Sequence, residues 1–184
     1  MSNCSYAKKN LTLRFRIKLI KQDMEELKKI LESKMKIRFH DCDPFNHLNN
    51  SRYIDYFLTA RGDQLIDDYH LDIYQLAQTE GIGWVSAQTQ ISYIMPAWLM
   101  EEVTIQTQLI AYSEKSLLLE ALMWNTDKTI LKSFMWTKLV HINLKTQTSQ
   151  VHSPALMEFF QQIINPLLQE TSFEQRAKSL KFTK

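Results

Sequence analysis

The sequence predicts an α+β fold in which a five-stranded antiparallel sheet wraps around one central helix. Three observations carry that reading. Tyr53, Ile54, Phe57, Leu58, Arg61, Leu65 and Ile66 recur at helical spacing. Four alternating apolar–polar segments follow that helix in succession, which suits an antiparallel sheet packed on it. One more alternating segment precedes it: Ile37 and Phe39 alternate with Arg38 and His40.

Taken in order, the chain opens with a basic leader. Residues 1–22 hold six basic side chains and no acidic one, so the remaining 162 residues carry a net charge of −4. Leu11, Leu13, Phe15, Ile17 and Leu19 alternate like a strand, whereas Leu13, Ile17, Ile20, Met24, Leu27 and Leu31 step like a heptad seam. Between Gln22 and Lys34 acidic residues come first and basic ones later, which matches a helix dipole. A helix from about residue 20 is therefore expected, with the segment before it undecided. The seam must be covered, either by the domain or a dimer mate, or by an anionic membrane; packing is the favoured outcome. Met35 abuts the first expected strand, so residues 1–34 read as an extension, 35–152 as the domain, and 153–184 as a C-terminal helix and tail.

After the central helix, a short helix is expected over 72–80, ended by Gly81 and Gly83. Residues 84–95 alternate Val85, Ala87, Thr89, Ile91 and Tyr93 with Ser86, Gln88, Gln90 and Ser92. That polar stripe is either a solvated face or a contact with substrate or a second subunit. Met95-Pro96-Ala97 breaks the strand. Further strands are expected at 103–111, 117–124 and 130–144. Ser153 before Pro154 is a helix start, with Leu156, Phe159, Phe160, Ile163 and Ile164 as its apolar face. Asn165-Pro166 ends it, and the polar residues 169–184 are expected to be loosely held.

Composition narrows the function classes. With 184 residues, 45% hydrophobic and only 3 Gly and 4 Pro, the chain can build a core and is not a low-complexity segment. Two cysteines, Cys4 and Cys42, provide neither a disulfide framework nor metal spacing, which points to a reducing cytoplasm. Cys42 reads as a small buried hydrophobe rather than a nucleophile. No run is long enough to span a membrane, and no signal-peptide pattern opens the chain. His40, His70, His141 and His152 read as structural.

Chemistry concentrates in Asp41-Cys42-Asp43-Pro44-Phe45-Asn46-His47-Leu48-Asn49-Asn50-Ser51-Arg52-Tyr53. Continued alternation from Ile37 and Phe39 would turn both aspartates toward the apolar side, where charge is costly. Pro44 stops the strand, a polar turn follows, and Asn49, Asn50 or Ser51 can cap the helix. A carboxylate thus reaches a helix N-terminus, whose N–H groups can hold an oxyanion. From spacing alone, Asp41 reads as a turn or cap residue. Asp43 is equally a turn residue or a general base or nucleophile. His47 either orients the reaction or bonds the turn. Asn49 and Asn50 read as turn and cap, and Tyr53 as core.

This stretch resembles the signature of hotdog-fold acyl-CoA thioesterases, Asp-x-Asp-x-x-x-His-x-Asn-Asn-x-x-Tyr. It is closest to the 4-hydroxybenzoyl-CoA thioesterase type and similar to plant acyl-ACP thioesterases. The resemblance covers about residues 36–145. It implies a hotdog fold, thioester hydrolysis with Asp43 and His47 as catalytic residues, and Asn49, Asn50, Ser51 and Tyr53 near the substrate. The plant enzymes carry Asn two residues after the catalytic Asp, where this chain has Phe45. No metal or organic cofactor is implied. The resemblance further implies a homodimer or homotetramer with acyl sites at the interface. The expected substrate is acyl-CoA, with acyl-ACP as the other carrier, and no nucleic acid. Two other functions remain: a hotdog enoyl-thioester hydratase, and a non-catalytic acyl-thioester binder. Hydratases resemble a pattern with Asp and His five apart and Asn-Pro between; Asp43 and His47 are four apart, with Pro44 directly after Asp43.

Overall fold

The computed structural model describes residues 27–182. Its first strand, β1 (Ile30–Lys36), is followed by the central helix α1 (Tyr53–Tyr69) and a short helix α2 (Ile73–Glu80). Four strands come next: β2 (Ile82–Tyr93), β3 (Glu102–Tyr112), β4 (Ser116–Asn125) and β5 (Leu131–Asn143). A two-residue strand β6 (Thr148–Ser149) and two helices, α3 (Pro154–Ile163) and α4 (Phe173–Phe182), complete it. The sheet is antiparallel in the order β1-β3-β4-β5-β2, with β6 added to β5. This is the expected hotdog arrangement, with a sixth short strand.

Alternation explains how the sheet divides its residues. Ile105, Thr107 and Leu109 of β3 and Leu117, Leu119, Ala121 and Met123 of β4 face α1 and are buried. Gln108, Ile110, Glu120, Leu122, Phe134 and Trp136 face the other way and are buried too. A sheet covered on both faces needs apolar cover on both. The concave face receives α1, α2 and α3, through Phe57, Leu65, Leu76, Phe159 and Phe160. The convex face receives α4, through Phe173, Ala177 and Leu180.

Three local expectations are corrected. The strand placed at 37–43 lies seven residues earlier: β1 ends at Lys36, and Phe39–Asp41 form a 3-10 turn with Phe39 exposed. The helix expected through Lys34 is strand from Ile30 onward, because Leu31, Ser33 and Met35 turn toward the interior by alternation. The rest of the leader lies outside the described residues, but Leu27 and Leu31 of its seam pack in the domain core with Leu65 and Tyr69. Of the tail, residues 173–182 form the helix α4 and are not loose. Ile164 pairs with Leu109 just beyond the end of β1, and Asn165 donates its N–H to the Leu109 carbonyl. The chain thereby passes round the sheet edge and lays α4 on the convex face.

Helix ends follow their residues. Ser153 accepts the Leu156 N–H and Asp72 the Gln75 N–H. Gly81 closes α2 in the left-handed region at φ 65°, where a side chain would be strained.

Candidate active site

The loop between β1 and α1 is built by its own backbone. Asp43 Oδ1 accepts the N–H groups of Phe45 (2.9 Å) and His47 (3.0 Å), an Asx turn. Asn46 supplies the left-handed residue that turn needs, at φ 63°. The Asp43 N–H returns to the His47 carbonyl at 2.8 Å. The turn reading of Asp43 is borne out through Oδ1, while Oδ2 has no partner among the described residues.

Asp41 is held differently. Its Oδ2 accepts the Tyr56 hydroxyl at 2.9 Å, and His40 and Arg52 lie 3.3 and 3.8 Å from the carboxylate. Burial pushes the Tyr56 hydroxyl up to about 12, so it stays a donor. Asp41 therefore ties the loop to α1. Cys42, between the aspartates, donates its thiol to the Arg38 carbonyl at 3.3 Å. Burial, then the two carboxylates, raise its pKa and keep the thiol protonated.

The entry to α1 is a 3-10 turn over Asn50–Arg52. Asn49 caps it, its Oδ1 accepting the Ser51 N–H (3.0 Å) and hydroxyl (2.8 Å). Of the four N–H groups from Leu48 to Ser51, three are spoken for: Leu48 by the Ala97 carbonyl, Asn49 by the Asp41 carbonyl, and Ser51 by its cap. The Asn50 N–H has no acceptor among the described residues, as the first turn of a helix leaves its donors unpaired.

His47 bears no side-chain hydrogen bond among the described residues; its ring meets Trp98 edge-on at 4.3 Å. The Trp98 loop is fixed from below by Lys132, which pairs with Glu101 at 2.7 Å and donates to the Pro96 carbonyl at 3.0 Å. Tyr53 is core: it is 2% exposed, and its hydroxyl accepts the Ala97 N–H at 3.2 Å. Asp43, His47, Asn49, Asn50 and Ser51 thus gather in one loop at the helix mouth, and Tyr53 lies beneath it. Trp98, Tyr56 and Lys132 were missed as supports. Only Trp98 carried a local signal, an aromatic directly after a strand-breaking Pro-Ala. Among the described residues no cluster of three or more side chains could hold a metal ion, and no helix is long and apolar enough to cross a membrane.

Comparison with known proteins agrees with the fold. The long-chain acyl-CoA thioesterase FadM of Escherichia coli is 28% identical over 135 residues, covering 73% of this chain and 99% of that protein. The structure of YbaW, a probable thioesterase from Escherichia coli, matches with a TM-score of 0.63 and 27% identity, over 73% of this chain and 99% of that one. A Staphylococcus aureus protein solved in complex with CoA shares the fold, with a TM-score of 0.68 at 16% identity, over 83% and 95% of the two chains. The profile of the thioesterase-like superfamily matches residues 37–171, which begin at the loop just after β1 and run through β2 to β6 and α3. The chain belongs to the thioesterase-like superfamily.

Proposed function

We propose that Asp43 drives thioester hydrolysis through its free Oδ2, with the Asn50 N–H receiving the charge that develops on the carbonyl oxygen. The activity itself, hydrolysis of an acyl-CoA thioester, follows from the family and the relatives together. The observation that carries the assignment is the split between the two aspartates. Asp41 is engaged by Tyr56, whereas Asp43 keeps one oxygen open at the helix mouth.

Two routes use that oxygen. As general base, Asp43 takes a proton from water, whose oxygen adds to the thioester carbon. Collapse of the tetrahedral intermediate expels the CoA thiolate, which recovers the proton. As nucleophile, Asp43 forms an acyl-carboxylate anhydride that water then opens. In either route negative charge grows on the former carbonyl oxygen, where a preorganised N–H is most effective. His47, free of other bonds, orients the water or the carbonyl. Asn49 and Ser51 hold the cap that positions the donor. Neither route needs a cofactor. Acyl-CoA is the preferred carrier, since an acidic carrier protein gains little from a domain of net −4.

A homodimer is part of the proposal. The outer edge of β2 is unpaired among the described residues, and Val85 and Tyr93 on that strand are exposed. Such an edge is a template for a second strand. A cytoplasmic setting fits the free Cys42 thiol.

The test is thiol release over a panel of acyl-CoA substrates from short to long, with an acyl-ACP comparison and light scattering on the same sample. The expected result is a dimer that turns over at least one acyl-CoA faster than its acyl-ACP counterpart. A folded protein that hydrolyses no thioester overturns the hydrolase, and a fully active monomer overturns the dimer.

A further inference from the structure

Arg61 lies on the buried face of α1, two turns inside the helix from the Asp43 loop. Eight residues separate it from Tyr53, about 12 Å of helix axis. The residue is 9% exposed. Of its five N–H donors, one is accounted for, Nη1 to the Thr107 hydroxyl at 3.1 Å. Nε is buried without a partner among the described residues. No carboxylate there pairs with it, and burial pulls its pKa down to about 10, so the group is still a cation at neutral pH. The Thr107 hydroxyl is itself spent on Gln64 Oε1, and Gln64 on the Ser33 hydroxyl and the Ile105 carbonyl.

Arg61 is one of the residues lining a cavity of about 360 Å³ between α1, α2, α3 and the sheet. Leu58, Leu65, Leu109, Leu119, Leu139 and Phe159 are among its wall residues, and no residue of the Asp43 loop takes part. The other polar side chains there are bonded or peripheral. Ser86 is engaged with Thr89 and Thr137, the Trp84 N–H donates to His152 Nε2, and Tyr74 stands at the exposed rim. A buried cation with open donors in an apolar pocket is expensive to keep empty. Its planar fork matches a carboxylate bidentately.

We propose that this cavity binds an aliphatic chain ending in a carboxylate, the acid on Arg61 and the chain along the leucines. Two sources present that chemistry: a free fatty acid, which is also the product of hydrolysis, and an acyl chain whose far end carries a carboxylate. The second source rests on the thioesterase reading; the first does not.

Calorimetric titration of the full-length protein with decanoate and with decanol decides the binding. Decanoate should bind at least tenfold more tightly than decanol, and Arg61→Met should abolish that preference while decanol still binds. Equal affinities in the wild type, or a preference that survives Arg61→Met, overturn the proposal. The wild-type comparison needs no variant, so it stands if Arg61→Met fails to fold. Arg61→Lys, which keeps the charge, should keep part of the preference. Hydrolysis then separates the sources. If free acid is the ligand, decanoate alters decanoyl-CoA turnover in the wild type and not in Arg61→Met. If the substrate carries the acid, ω-carboxydecanoyl-CoA has a higher kcat/KM than decanoyl-CoA, and Arg61→Met reverses the order. Tight decanoate binding with neither kinetic effect limits the ligand to a free acid bound apart from turnover. A protein that binds decanoate but hydrolyses nothing loses the thioesterase reading and keeps the cavity.

Discussion

Two buried charges lie on opposite faces of one sheet, and the protein treats them differently. On the convex face Glu120 has no exposure, yet both its oxygens are filled. Arg176 grips it with two N–H groups at 2.8 and 2.9 Å, Gln108 donates at 2.8 Å and Trp136 at 2.9 Å. On the concave face Arg61 is nearly as buried and has one bond among the described residues, to Thr107. The same contrast recurs in the loop, where Asp41 is bound by Tyr56 and Asp43 keeps an oxygen open. A charge whose bonds are completed inside the chain holds the fold. A charge left incomplete is available to something that arrives.

The convex pair gives the largest stability effect. Arg176→Met leaves Glu120 buried and underbonded, which costs about 3–5 kcal/mol for a broken buried pair and lowers Tm on the order of 10 °C. Arg61→Met should hold or raise Tm, because it removes a buried charge that has no carboxylate partner among the described residues. Thermal melts of the two variants side by side check the contrast. Equal losses would show that Arg61 is as structural as Arg176.

Tyr56→Phe is the next step down. It removes the buried partner of Asp41 and should cost about 1–3 kcal/mol in a urea titration, with kcat falling less than tenfold. A large kcat loss without a stability loss would put Asp41 in the chemistry.

The stacked rings of Trp84, His141 and His152 sharpen the comparison with pH. Burial lowers the pKa of both histidines, and for His152 the neighbouring His141 lowers it further. The unfolded chain therefore binds protons first, near the ordinary value of 6.5. Stability should hold above that pH and fall as pH drops through it. His152→Gln should flatten the slope of Tm against pH below 6.5, and an unchanged slope would assign the acid loss elsewhere.

The smallest effect concerns His47. With its ring on Trp98 and no side-chain hydrogen bond among the described residues, His47→Ala should move Tm little and kcat measurably. A Tm loss with kcat intact would make it a turn residue.

Much of this was legible in the sequence. The spacing of Tyr53, Phe57 and Leu65 placed α1, and alternation placed β2 to β5 within two residues at each end. The loop was legible as a cluster, because turn residues and a cap sit next to one another in the chain. β1 was misplaced for a physical reason: Leu27, Leu31 and Met35 are four apart, which suits a helix seam, and the last two also suit strand alternation. α4 was hidden by its polar composition, although Phe173, Ala177 and Leu180 have helical spacing. The Glu120–Arg176 pair joins residues 56 apart, which no local pattern encodes. Arg61 did leave a signal. It occupies an apolar-face position, between Phe57 and Leu65, where a surface helix would place an aliphatic side chain.

The most direct test of the account is Asp43→Asn set beside Asp41→Asn, with kcat on the best acyl-CoA substrate and Tm measured on both. Asn keeps the acceptor that holds the turn and removes the base or nucleophile. The account predicts that Asp43→Asn loses about 10²-fold or more in kcat with Tm nearly unchanged. It predicts that Asp41→Asn loses more Tm than kcat. An Asp43→Asn protein that folds and keeps near-wild-type kcat would contradict it.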